Sequence, residues 1–197
     1  MPEQKRNLRP EMLAFLDAAL ASNELAQQFI AEKNFRLLSV EASKACVGKV
    51  IEATGKNDGY LVNLMQDTVG SIANEYWCMS ARQTILAYAE IKTGLSSPLP
   101  ATEHCLTLWR WVKKFRPDLI VKRVPLPGAW AIWDRGNDTG HVEEIIAADE
   151  EMFFATGGNT SGSTVFPKGA LKVDRNGNGY FYTKRLRREI IGFIKPI

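Results

Sequence analysis

The stretch EYWCMSA, residues 75–81, places a cysteine at the start of a predicted helix. The unpaired N–H groups and the positive dipole end of a helix N-terminus favour a thiolate over a thiol. Further along the chain, one histidine stands in TGHV (139–142) and one asparagine in GNT (158–160). This order of cysteine, histidine and asparagine predicts a thiol hydrolase built around Cys78.

A cysteine hydrolase needs an ionisable nucleophile, a base within hydrogen-bond reach and donors for the oxyanion. We expect Cys78 to be the nucleophile, its backbone N–H to be an oxyanion donor, and His141 to be the base. The amide oxygen of Asn159 is expected to accept the imidazole N–H and so fix the tautomer. The other histidine, His104, lies near a predicted helix N-terminus, where a positive charge is disfavoured. Taken singly, each residue also has a purely structural interpretation: core packing for the cysteine, a surface or turn position for the histidine, and a turn for the asparagine.

The chain has three cysteines, and this odd number without a CxxC pair or zinc-type spacing argues against a disulfide framework. Cys105 falls on a helical stripe with Leu108 and Val112, and Cys46 lies among small residues of another amphipathic stretch. Both are therefore expected to be buried small hydrophobes rather than reactive thiols. We expect no metal and no cofactor.

The composition is that of an ordinary globular protein, with 45% hydrophobic and 24% charged residues in 197 positions. A net charge of +3 does not indicate a nucleic-acid partner, and no stretch approaches the roughly 20 apolar residues of a membrane span. The first residues lack a signal-peptide pattern, so we expect synthesis in the cytoplasm and action in the periplasm or at the cell wall after release or delivery. A basic cluster near the end indicates either a solvated face or a contact for a polyanion: Lys184, Arg185, Arg187, Arg188 and Lys195.

Hydrophobic periodicity changes near residue 117, from a helical period to short alternating runs. The predicted helices cover about 10–33, 37–51, 60–69, 78–94 and 102–115. The predicted strands cover about 129–134, 141–147, 151–156, 170–174, 179–184 and 190–195. Helices followed by an antiparallel sheet predict an α+β fold, with a domain over 37–197 and a helical extension over 1–36.

The segment DRNGNG, residues 174–179, has the Asn-Gly signature of a hairpin turn. It also matches the opening of an EF-hand calcium loop. The twelfth position of such a loop needs a carboxylate, and here it is Arg185, a cation. Calcium binding is therefore not expected.

The ordered set of motifs resembles the NlpC/P60 and CHAP group of papain-like peptidoglycan hydrolases, in particular amidase or endopeptidase domains of phage lysins. The resemblance covers residues 38–197 and rests on GKNDG (55–59), YWC (76–78), PGAWAIW (127–133), TGHV (139–142), GGNTS (157–161) and IGFI (191–194). It implies a papain-like fold with Cys78 as nucleophile, His141 as base and Asn159 as the orienting residue. It further implies bacteriolytic cleavage of a stem-peptide amide in peptidoglycan, without a cofactor.

The chain departs from that family at three places. Ala129 stands where an acidic residue is usual, Gly157 where a glutamate is frequent, and Glu143 follows the Gly-His-Val where a small residue is favoured. In a strand Glu143 shares the face of His141, so it is a possible modulator of the histidine. These departures leave two alternatives open: a non-catalytic wall- or partner-binding module, and a thiol protease or acyltransferase effector. Trp77, beside the nucleophile, is expected to contact the substrate.

Overall fold

The computed structural model describes residues 5–167 and 177–197. Within these ranges six α-helices precede six β-strands, which makes the fold α+β as the change in periodicity predicts. The helices are α1 (Pro10–Leu20), α2 (Glu24–Ala31), α3 (Phe35–Cys46), α4 (Tyr60–Asp67), α5 (Cys78–Thr93) and α6 (Cys105–Phe115). The strands are β1 (Ile120–Val121), β2 (Trp130–Gly136), β3 (Thr139–Ala148), β4 (Met152–Thr160), β5 (Gly179–Leu186) and β6 (Gly192–Ile194).

Local capping explains where the helices differ from the prediction. The helix expected over 10–33 is two helices, because the side chain of Asn23 accepts a hydrogen bond from the Ala26 N–H and starts α2. α5 ends as predicted at Gly94, whose left-handed backbone a glycine adopts without strain.

The strands form one sheet in the order β1-β6-β2-β3-β4-β5, and every neighbouring pair is antiparallel. The two-residue strand β1 was not predicted, because it is too short to show an alternating pattern. The predicted strand at 170–174 and the first half of the segment 174–179, with its calcium-loop resemblance, lie outside the described residues.

The helices cover one face of the sheet. Trp130, Ile132 and Val142 point from β2 and β3 into a core shared with all six helices. The other face holds a smaller apolar cluster around Trp133 and Phe153. α5 lies at the centre of the helical layer and is buried along most of its length, and even its Arg82 is fully buried.

The N-terminal helices, predicted as an extension, contribute to the same core. Met12 and Leu16 of α1 are fully buried in it. Arg6 donates hydrogen bonds to Gln83 and Glu90 of α5, at 2.6 and 3.0 Å. The expected boundary between residues 36 and 37 lies inside α3. Among the described residues no helix combines the length and the apolarity needed to cross a membrane.

Candidate active site

Cys78 is the first residue of α5, directly after Trp77, whose backbone is not helical. The thiol therefore lies at the helix end where backbone N–H groups lack intrahelical partners and the dipole is positive. The residue is 4% exposed. It lines two neighbouring cavities of about 180 and 430 Å³, so a small reactant has access to it from both.

His141 lies near the start of β3, with its ring 5.5 Å from the ring of Trp133. Its Nε2 is 3.1 Å from Oε1 of Glu143, two residues further along the strand. Strand alternation places both side chains on one face, as the sequence analysis expected. With Nε2–H donated to the carboxylate, the other ring nitrogen, Nδ1, is the one left to exchange a proton with Cys78.

The Glu143 carboxylate is held from several sides. Oε1 accepts from Nη2 of Arg185 at 2.8 Å, and Oε2 accepts from the hydroxyl of Thr183 at 2.6 Å. Burial alone would keep this group neutral, but the charges of Arg185 and His141 outweigh it and hold the pKa of the Glu143 carboxyl well below its usual range. The imidazole therefore faces a carboxylate that is ionised at neutral pH.

The thiol of Cys78 is stabilised as a thiolate. Sγ of Cys105 lies 3.7 Å from Sγ of Cys78, and a hydrogen bond from the Cys105 thiol is the largest influence that lowers the pKa of Cys78. Burial opposes ionisation, while the charge and hydrogen bond of His141 favour it. In return, burial lowers the pKa of His141, but the thiolate and Glu143 outweigh it and raise that pKa above its ordinary value.

Asn159 does not take the position that the sequence analysis gave it. It lines the smaller cavity with Cys78 and His141, but its Nδ2 donates to Glu52, Asn57 and the Gly177 carbonyl. Its backbone is left-handed, with φ at 55°, next to an irregularity in the pairing of β4 with β5. That local turn directs its amide towards the loop around Glu52, and Glu143 holds the imidazole instead.

One contact explains two of the departures from the family pattern, the glycine at 157 and the glutamate at 143. A Cβ on Gly157 of β4 would come within 2.8 Å of Cγ of Glu143. The missing side chain at 157 therefore makes room for the carboxylate on β3. The acidic group at this site comes from the histidine's own strand, whereas the family pattern places it on the next one.

Trp77 is fully buried, so the prediction that it contacts substrate is wrong. Its Nε1 donates to Oε1 of Glu52 at 2.8 Å, and its ring packs on Gly158, where a Cβ would lie 2.3 Å from the indole. The neighbouring aromatic, Tyr76, is 58% exposed and lines both cavities beside the nucleophile. Tyr76 is therefore the aromatic residue that a bound molecule would meet.

Sequence reasoning missed two residues of the site. Cys105 is buried in the core, as predicted, but it is also the first residue of α6 and contacts the nucleophile, which the sequence analysis did not anticipate. Arg185 was counted with the basic cluster, but it is fully buried against Glu143. A signal for Arg185 was present in the alternation of β5, which puts Thr183 and Arg185 on the same face of the strand.

A cavity of about 730 Å³ lies at the other end of α5 beside Glu90 and Leu95, away from the thiol. In the described ranges no group of three or more His, Cys, Asp or Glu side chains is arranged to hold a metal ion.

No protein-family model, curated protein or solved structure matches this chain.

Proposed function

We propose that this protein is a cysteine hydrolase of papain-like fold that cleaves an amide bond in the stem peptide of bacterial peptidoglycan. One observation carries the proposal: Cys78, at the N-terminus of α5, lies beside His141, whose far ring nitrogen is bonded to Glu143. A nucleophile, a base and an acceptor that orients the base form the constellation of thiol hydrolases.

In the proposed reaction the Cys78 thiolate is the nucleophile and the His141 imidazolium is the acid. The Cys78 thiolate attacks the carbonyl carbon, and the carbonyl oxygen becomes an oxyanion that the backbone N–H of Cys78 is placed to stabilise. The tetrahedral intermediate collapses, the C–N bond breaks, and the His141 imidazolium gives its proton to the departing amine. Water then loses a proton to the neutral imidazole and attacks the thioester, which releases the acid and returns the thiol.

Glu143 takes the role that the resemblance gave to Asn159. A carboxylate accepting from Nε2 fixes the tautomer as an amide oxygen does, and it also stabilises the imidazolium by its charge. A thiolate–imidazolium pair is therefore maintained before substrate binds. Loss of the asparagine from this position is compatible with catalysis.

The substrate class rests on the order of the motifs and on the form of the cleft. The two cavities that meet at Cys78 give room on both sides of a scissile bond. The larger one is lined by Tyr76 and by three acidic side chains, Glu75, Glu103 and Asp138.

Digestion of isolated cell walls tests this function. Turbidity is followed with wild-type protein, with Cys78→Ala, and with Cys46→Ala as a matched cysteine control, because Cys46 is buried in α3 away from the cleft. We expect clearing by wild type and Cys46→Ala but none by Cys78→Ala, with new amino and carboxyl termini in the released fragments. Clearing that persists in Cys78→Ala contradicts the proposal. Wall binding without clearing by any of the three favours a binding module.

A further inference from the structure

The two thiols at the site lie close enough to react with each other. Cys78 and Cys105 are free cysteines with their sulfurs 3.7 Å apart, and each is the first residue of its helix. A disulfide has a sulfur–sulfur distance of about 2.0 Å, so closure requires an approach of less than about 2 Å. The third cysteine, Cys46, lies in α3 outside this pair and provides a natural comparison.

The surroundings divide the roles between the two sulfurs. Cys78 lies beside His141, whereas Cys105 packs against Gly140, where an added Cβ would come within 2.9 Å of the Cys105 Cβ. The hydrogen bond to Cys78 and burial raise the pKa of Cys105, while the pKa of Cys78 is lowered. Since the thiolate is the form that attacks an oxidant, Cys78 reacts first and Cys105 is available to resolve the product.

We propose that Cys78 and Cys105 together form an oxidation site for hydroperoxides, at which one peroxide molecule converts the two thiols into an intramolecular disulfide. The Cys78 thiolate attacks the terminal oxygen of the hydroperoxide, the O–O bond breaks, and His141 protonates the departing alkoxide, which is hydroxide when the oxidant is hydrogen peroxide. The Cys78 sulfenic acid then reacts with the Cys105 thiol, forming the S–S bond and releasing water. Both sulfurs are oxidised; an alkyl hydroperoxide is reduced to an alcohol and water, and hydrogen peroxide to two molecules of water.

The cleft gives the oxidant access to this pair. Both cysteines line the cavity of about 430 Å³, which accommodates hydrogen peroxide or a small alkyl hydroperoxide. Disulfide formation removes the nucleophile from any acyl transfer, and a thiol reductant restores it. It also stops the oxidation of Cys78 before the irreversible sulfinic and sulfonic acids. The chemistry at the sulfurs does not depend on which bond, if any, the enzyme hydrolyses.

Peptide mapping after peroxide treatment tests the proposal on the full chain. Wild type, Cys105→Ser and the control Cys46→Ser are treated with hydrogen peroxide, digested without reductant and analysed by mass spectrometry. In wild type and Cys46→Ser we expect a cross-link between the peptides that contain Cys78 and Cys105. After dithiothreitol, the fraction of Cys78 that can again be alkylated should be at least about tenfold higher in these proteins than in Cys105→Ser, in which Cys78 proceeds to sulfinic and sulfonic acid.

Two results would overturn it: oxidised wild type without the 78–105 cross-link, or equal recovery of Cys78 in wild type and Cys105→Ser. If Cys105→Ser does not fold, the wild-type map still decides, because the presence or absence of the cross-link needs no variant. The readout is separate from wall digestion, so an inactive hydrolase with a 78–105 disulfide supports this site while contradicting the proposed function.

Discussion

Replacing Glu143 with glutamine should lower the pKa of His141, because the substitution removes the negative charge that favours the imidazolium. The variant keeps the shape of the side chain but exchanges a charged acceptor for a neutral one, 3.1 Å from Nε2. A hydrogen bond to a charged group contributes about 1.5–3 kcal/mol and a neutral one about 0.5–1.5 kcal/mol. The difference, about 1–1.5 kcal/mol, is the stabilisation of the imidazolium that the substitution should remove.

The next residue of β3 supplies a matched control. Glu144 is also fully buried and pairs with an arginine, Arg82, at 2.7 Å, but it points to the helix side of the sheet, where Ser39 donates to it. Glu143→Gln and Glu144→Gln each leave a buried arginine without its carboxylate, so each should lower the free energy of unfolding by about 3–5 kcal/mol. Only Glu143→Gln removes a charge from His141.

Titration of the imidazole protons by NMR separates the two effects. The chain has two histidines, so the spectra are simple, and exposed His104 serves as the internal reference. The His141 signal should titrate at lower pH in Glu143→Gln than in wild type, and at an unchanged pH in Glu144→Gln. An unchanged His141 midpoint in Glu143→Gln, or an equal shift in both variants, would refute the assignment of Glu143 as the orienting carboxylate. Urea unfolding of the three proteins checks that the loss of stability is shared.

Three further changes test other parts of the account. Cys105→Ala removes a thiol donor and should raise the pKa of Cys78, which is measured from the rate of Cys78 alkylation as a function of pH. An unchanged midpoint of that pH profile would show that the hydrogen bond from Cys105 does not stabilise the thiolate. Gly158→Ala places a Cβ against the ring of Trp77 and should lower the free energy of unfolding, measured in urea, by about 1–3 kcal/mol. An unchanged free energy of unfolding would show that the backbone can move apart there. Asn159→Ala should cost about 1–3 kcal/mol through its lost amide donor yet leave the imidazole titration unchanged. A shifted titration would return that residue to the orienting role.

Local signals in the sequence were sufficient for much of the fold. The period of the helices, the glycine after α5 and the alternation of the strands depend on neighbouring residues, and the observed element order follows them. The same applies to His141 and Glu143, which are two residues apart on one strand and so share a face. Cys78 at the start of α5 was predicted from the turn-like approach that precedes it.

The rest depends on contacts between distant segments. Cys105 meets Cys78 because α6 packs against β2 and β3, and a stripe of apolar residues on α6 gives no sign of that sulfur contact. The direction of Asn159 depends on an irregular strand pairing that periodicity does not reveal. Arg185 lies among basic residues in sequence, and the alternation of β5 gives the face of its side chain but not its partner, Glu143. Whether a basic residue is solvated or buried in an ion pair is therefore known only once the residue that packs against it is known.

The central claim is that Cys78 is ionised at neutral pH in the presence of His141. Carbamidomethylation by iodoacetamide, measured by mass spectrometry at the peptide that carries Cys78, gives the rate of labelling as a function of pH. The account predicts a midpoint well below about 8.5, the pKa of a free thiol. A midpoint at or above that value would contradict it, because the cysteine would then lack the thiolate that the proposed chemistry requires.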